Sequence, residues 1–182
     1  MISAAEATQR LLEGNQRFLR NLGHSHGLLS EGPALQETAQ TPFAAVLACA
    51  DSRVAPEILF DAGLGELFVI RVAGNVANPS TIGSIEYAVQ QLGTRLVVVL
   101  GHSKCGAICS AMSGECGSEN LGILLGFIEP ALGPDDVDEV ALRNTRIQAQ
   151  RIHEESAIVR ESGAEIVRGL LDMDSGRVDL VS

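Results

Sequence analysis

Two unbroken apolar runs, each ending abruptly in metal-binding residue types, constrain this chain more than anything else in it. The first, Phe43 to Ala48, delivers Cys49 at its end and continues Ala50-Asp51-Ser52-Arg53. The second, Leu96 to Leu100, runs into Gly101-His102-Ser103-Lys104-Cys105-Gly106. Short apolar runs without polar alternation, bounded by polar residues and Gly, predict buried β-strands. In an open parallel α/β sheet, ligands and chemistry collect beyond the carboxyl ends of the strands. If these two strands are neighbours, Cys49, His102 and Cys105 converge on one point. Two thiolates and one imidazole are a ligand set for zinc, three protein ligands with a fourth position left over.

The segments around these runs predict an α/β fold with a central, mostly parallel β-sheet flanked by helices. The expectation is about four parallel strands plus an antiparallel edge strand. Ser3-Ala4-Ala5-Glu6 reads as a capping box, and Ala7, Leu11, Phe18 and Leu22 form the stripe of the helix behind it. Asn21 to Gln40 is polar and contains Gly, and its His24 and His26 read as part of a solvated loop. Pro56 can start a short helix, and Glu66 to Val72 reads as a second strand. Asn78-Pro79 starts a helix with a buried stripe of Ile82, Ile85, Val89 and Leu92, and Gly93 ends it. A strand, a helix and the strand at Leu96 then form a right-handed crossover. Gly106 to Met112 reads as a helix in which Cys109 is a small buried hydrophobe. Asp135 and Asp136 open a helical region reaching about Ser162, and Ile166–Leu171 with Arg177–Val181 reads as a terminal hairpin. Residues 1–40 would be a helical arm and loop, and 41–182 the metal-binding core of one domain.

Composition narrows the class. A chain of 182 residues is enough for one domain with a sizeable core. A formal net charge of −10 argues against nucleic acid and anionic membrane surfaces as partners, but not against a neutral substrate. Four cysteines would read as disulfides in a secreted chain; here Cys49 and Cys105 end strands beside Asp and His, so metal binding or catalysis is the better reading. The amino terminus shows no secretory signal pattern and no apolar run is long enough to span a bilayer, so a cytoplasmic protein is expected.

Cys49-Ala50-Asp51-Ser52-Arg53 followed by His102-Ser103-Lys104-Cys105, each at a strand end, resembles the β-class carbonic anhydrases. Gln40-Thr41-Pro42, Arg71-Val72-Ala73-Gly74-Asn75 and Gly83-Ser84-Ile85-Glu86-Tyr87-Ala88 look like that family too. The resemblance implies one zinc per chain on Cys49, His102 and Cys105, and reversible hydration of CO2 to bicarbonate and a proton. Gln40 would offer its amide to substrate. Phe68, Ala73 and Tyr87 would wall the pocket, with Tyr87 reaching in from a partner subunit. N-terminal helices in such enzymes reach over a partner, so a homodimer or larger homo-oligomer is expected. Hydrolysis of carbonyl sulfide or carbon disulfide on the same core, or a structural zinc protein, are the alternatives.

The residue chemistry agrees with this reading. Cys105 precedes a helix, whose amino end favours a thiolate. Zinc so held lowers the pKa of a bound water toward ~7, and the hydroxide is the nucleophile that CO2 hydration requires. Asp51 can orient that hydroxide through a hydrogen bond, or itself become the fourth ligand and shut the site. Arg53 can hold Asp51 in a bidentate pair. The Gln40 motif resembles the plant-like type, which favours the open form.

Overall fold

The computed structural model describes residues 2–21, 40–114 and 116–181; His24 and His26 lie outside them. Its centre is a five-stranded sheet in the order β2-β1-β3-β4-β5. The strands are β1 (Ala44–Ala48), β2 (Leu67–Arg71), β3 (Leu96–His102), β4 (Glu165–Leu171) and β5 (Val178–Val181). The first four run parallel and β5 pairs antiparallel with β4. β1 and β3 are direct neighbours, with Ala48 beside Leu100. Every residue of both strands is buried, as their unbroken apolar sequence predicts.

Helices cover both faces. Helix α1 (Ala4–Leu19) and the short α2 (Pro56–Leu59) lie over one face, where Ala7, Leu11 and Phe60 pack on Val46, Leu96, Val98 and Leu100. Helices α3 (Pro79–Gln90), α6 (Val137–Glu155) and α7 (Ala157–Ser162) cover the other, where Ile85, Val89, Ile152 and Val159 meet Leu47, Val97 and Val99. Each large aliphatic side chain so buried contributes about 1.5–3 kcal/mol. Helices α4 (Gly106–Ser113) and α5 (Glu119–Gly126) close the carboxyl end of the sheet around Ile108, Leu125 and Ile128.

Local chemistry sets the boundaries. Ser3 and Glu6 form the capping box of α1, and Asn78 caps α3 ahead of Pro79. Gly114 and Gly163 end α4 and α7 in the left-handed region, where glycine carries no Cβ penalty. The helical region after Asp136 is broken at Ser156, which ends α6 and caps α7. Helix α1 spends its apolar face on its own sheet, with Asn15 tying it to Leu59, Gly176 and Val178. That face is therefore not what a partner subunit would cover.

One expectation fails. Cys109 is exposed, not buried. Cys105 is the N-cap of α4, with extended backbone, so counting four residues on from it does not follow the helix face. The face of α4 that packs inward carries Ile108 and Ala111.

Helix α6 packs tightly on the sheet at Gly101, where a Cβ would stand 2.5 Å from the Thr145 methyl. Gly101→Ala is expected to destabilise the protein by about 1–3 kcal/mol through overpacking. Thr145→Ser, which removes that methyl, should restore part of the loss. Urea denaturation of the single and double variants checks this, and additive losses would contradict it.

Candidate metal centre

The parallel pairing of β1 and β3 brings their carboxyl ends side by side, and the ligand atoms of Cys49, His102 and Cys105 all lie within 4.8 Å of one another. All three residues are buried, His102 completely. The His102 Nδ1 lies 2.9 Å from the Ser103 carbonyl oxygen and donates to it. That bond assigns the lone pair to Nε2, which is buried and has no hydrogen-bond partner. An orphaned imidazole nitrogen facing two thiols is the donor set that zinc takes. The residues present fit the ion.

The sulfurs are prepared for it. The Cys105 thiol donates to Cys49, holding Cys49 well below the usual thiol value and pushing Cys105 up. His102 is buried, which disfavours its charged form, yet the nearby Cys49 sulfur and the Ser103 carbonyl raise it above its ordinary value. Binding a cation displaces these protons. The Cys49 Sγ accepts from the Gly74 N–H at 3.3 Å and the Asp51 N–H at 3.4 Å. The amides of Ala107 and Ile108, in the first turn of α4, favour the thiolate form of Cys105.

Asp51 stands at the rim, with one carboxylate oxygen 4.0 Å from His102 Nε2. Arg53 holds that carboxylate from two sides, through Nε on Oδ1 at 3.0 Å and a terminal nitrogen on Oδ2 at 2.8 Å. The Arg53 backbone N–H adds a third bond to Oδ1. These contacts, the guanidinium first, hold the Asp51 carboxyl well below the usual carboxylate range. Arg71 locks the backbone beneath, donating to the carbonyls of Cys49 at 3.1 Å and Asp51 at 2.6 Å. Sequence reasoning placed Arg71 in a motif but gave it no role; its signal was a charge at the end of an otherwise apolar strand.

The remaining expected site residues divide. Ala73 begins a short 3-10 turn, Ala73–Asn75, directly behind Cys49. Phe68 stands beside Ala45 in the β1–β2 register, so strand alternation puts it on the face that Cys49 shares. Its ring meets that of Tyr87 in the same chain, with centroids 6.0 Å apart, and Tyr87 is half exposed. Gln40 precedes the amino end of β1, the end of that strand opposite to Cys49, and is exposed.

A parallel sheet carrying a Cys–His–Cys centre at the ends of two neighbouring strands, with an ionised Asp–Arg pair beside it, defines an α/β metalloenzyme. Residues 44–178 match the carbonic anhydrase family model. The chain is 39% identical over 176 residues to a carbonic anhydrase of Mycolicibacterium smegmatis, covering 90% of this chain and 81% of that one. It is 46% identical over 107 residues to carbonic anhydrase 2 of Mycobacterium tuberculosis, covering 59% of this chain and 52% of that one. In fold it matches one of two tetrameric β-carbonic anhydrases from Sordaria macrospora, with a TM-score of 0.71 at 22% identity over 98% of this chain and 95% of that one. The chain belongs to the carbonic anhydrase family, in its β class. Hydration of CO2 by zinc is the reaction of that family.

The Asp51–Arg53 pair yields a pH prediction. The folded carboxyl titrates below the ~3.9 of an unfolded Asp. Any stability the pair adds is present above that value and is lost as pH falls through the folded one. Asp51 is thus ionised throughout pH 6–9, and removing Arg53 leaves it ionised but unaimed. Arg53→Ala should lower kcat by about 10–100-fold, equally at pH 7 and pH 9. Stopped-flow hydration assays at both values check this, and recovery at pH 9 would show that Arg53 acts on ionisation rather than on orientation.

Proposed function

We propose that this chain hydrates carbon dioxide reversibly at one zinc held by Cys49, His102 and Cys105, with residues 41–182 as the metal core behind an N-terminal arm. The observation that carries the assignment is the buried, partnerless Nε2 of His102 clustered with two buried cysteine sulfurs. Zinc bound there supplies a Lewis acid that ionises water near neutral pH. The protein's residues do the rest. Asp51 presents a fixed hydrogen-bond acceptor at the rim, and Arg53 and Arg71 keep it aimed. The buried apolar surroundings of Cys49 and Cys105, among them Val76, Ile108 and Ile128, suit a neutral, apolar substrate. A purely structural zinc site would need neither the Asp51–Arg53 pair nor a fourth position.

The site operates open, with Asp51 on Arg53 rather than on the metal. Supporting this, both Asp51 oxygens are engaged by Arg53, and the clustered ligand atoms are those of Cys49, His102 and Cys105.

The active unit is a homodimer or larger homo-oligomer. The β2 edge carries Leu67, Phe68, Val69 and Ile70, all only half buried, beside the exposed Tyr87. Apolar sheet edges of this kind are covered in native proteins. The fold match from Sordaria macrospora is tetrameric by its description. Gln40, remote from its own Cys49, would serve a partner's pocket, together with Phe68 and Tyr87. The protein works in the cytoplasm, where reducing conditions keep Cys49 and Cys105 available as thiolates. Among the described residues no helix is long and apolar enough to cross a membrane.

Purified protein should hydrate CO2, and Cys49→Ser and Gln40→Ala should each impair it. If Gln40 acts across the interface, mixing the two variants under subunit exchange should recover activity that neither shows alone. In a hybrid, one site keeps its three ligands and receives Gln40 from the other chain. Activity that stays additive on mixing would return Gln40 to its own subunit. Faster hydrolysis of carbonyl sulfide or carbon disulfide than hydration of CO2 would replace the substrate.

A further inference from the structure

Helix α6 buries two amide side chains that the reaction itself does not require. Asn144 and Gln148 are both fully buried. Gln148 accepts from the Ala77 N–H at 2.8 Å and donates to the Phe127 carbonyl at 2.9 Å and to the Asn144 Oδ1 at 2.8 Å. Asn144 passes the chain on, donating to the Gly74 carbonyl at 2.9 Å. The orientation of both amides is fixed by their partners, since Gly74 offers an acceptor and Ala77 a donor. The two side chains therefore pin the backbone at both ends of the Gly74–Ala77 segment.

Gly74 is the residue whose N–H points at the Cys49 sulfur. It does so from a left-handed conformation, φ 68°, and a Cβ there would stand 2.6 Å from Ile128 Cδ1. The turn is closed by the Asn75 N–H on the Val72 carbonyl at 3.0 Å. The amides of α6 brace it from outside, at the Gly74 carbonyl and the Ala77 N–H.

We propose that Asn144 and Gln148 are positioning residues for the metal: through Gly74 they hold an N–H on the Cys49 thiolate and so set how strongly that sulfur binds and donates to the ion. The proposal rests on the assignment of Cys49 as a ligand. An N–H donor draws charge from a thiolate and stabilises it against protonation. Outer hydrogen bonds of this kind are worth about 10–100-fold in metal affinity. An unanchored Gly74 would leave the sulfur without a fixed donor and less well aimed at the ion.

Cobalt(II) tests this without reference to turnover, because its charge-transfer band reports the thiolate directly. Asn144→Ala and the volume-matched Gln148→Met should each weaken cobalt binding by about 10–100-fold, measured by competition with a chromophoric chelator. Both should move the sulfur-to-cobalt band to lower energy. Asn15→Ala is the control, because Asn15 is equally a buried amide bonded to three backbone groups, but it lies on the other face of the sheet. It should leave the band in place and the affinity within about twofold, well short of the change expected for an outer hydrogen bond. Wild-type protein loaded with cadmium-113 gives a readout that needs no variant: the Gly74 amide proton should show scalar coupling to the metal through Cys49. Absence of that coupling, wild-type band and affinity in folded Gln148→Met, or an equal change in Asn15→Ala would each overturn the proposal. Failure of wild-type protein to bind cobalt would instead overturn the metal assignment itself.

Discussion

The constraint on which this structure turns is the close approach of two buried cysteine sulfurs. Cys49 and Cys105 place their sulfurs within 4.8 Å of each other and of the His102 nitrogen. Two unit charges at that separation repel by about 3–4 kcal/mol at an effective dielectric constant near 20. The Cys105 thiol beside it lowers Cys49, and Cys105 is itself raised. A dication held by Cys49, His102 and Cys105 would displace the remaining thiol proton and offset the repulsion. Much of the local architecture reads as preparation for this exchange. The first-turn amides of α4 face Cys105, the N–H groups of Asp51 and Gly74 face Cys49, and His102 turns its lone pair inward by donating from its other nitrogen.

Preparation of this kind needs a rigid frame, and the frame is built from two directions. From the sheet, β1 and β3 fix where the ligands emerge, and Arg71 at the end of β2 fastens the turn after Cys49 through two carbonyls. From the helical layer, α6 reaches over the carboxyl ends with Asn144 and Gln148. The loop holding Cys105 is anchored as well. Ser103 bonds the backbone at Leu171 and Met173, the Lys104 amide bonds Asp138, and the Lys104 ammonium meets Asp174. The site therefore draws on β1, β2, β3, α6 and the β4–β5 turn.

Much of this was legible in the sequence. The strands could be read because β1 and β3 are buried on both faces and show unbroken apolar runs. The Cys49, His102 and Cys105 cluster could be read because its members sit where such runs stop. Asp51 and Arg53 were legible from their spacing, which the bidentate pair bears out. The braces were not. Asn144, Thr145 and Gln148 lie on the buried face of α6, yet polar side chains read as solvent-facing until their backbone partners are known. Cys109 was misplaced because a helical period was counted from a capping residue that is not helical. The duty of α1 was equally hidden, since an amphipathic stripe does not say whether its own sheet or a neighbour covers it.

The most direct test of the central claim is X-ray absorption at the zinc edge of the zinc-loaded protein near pH 8. The account predicts two sulfur neighbours at about 2.3 Å and two nitrogen or oxygen neighbours at about 2.0–2.1 Å, one of them imidazole. An Asp51→Asn variant should give the same spectrum, because Asp51 is held on Arg53 and not on the metal. A shell of four sulfurs, a shell with none, or a loss of one oxygen neighbour in Asp51→Asn would contradict it.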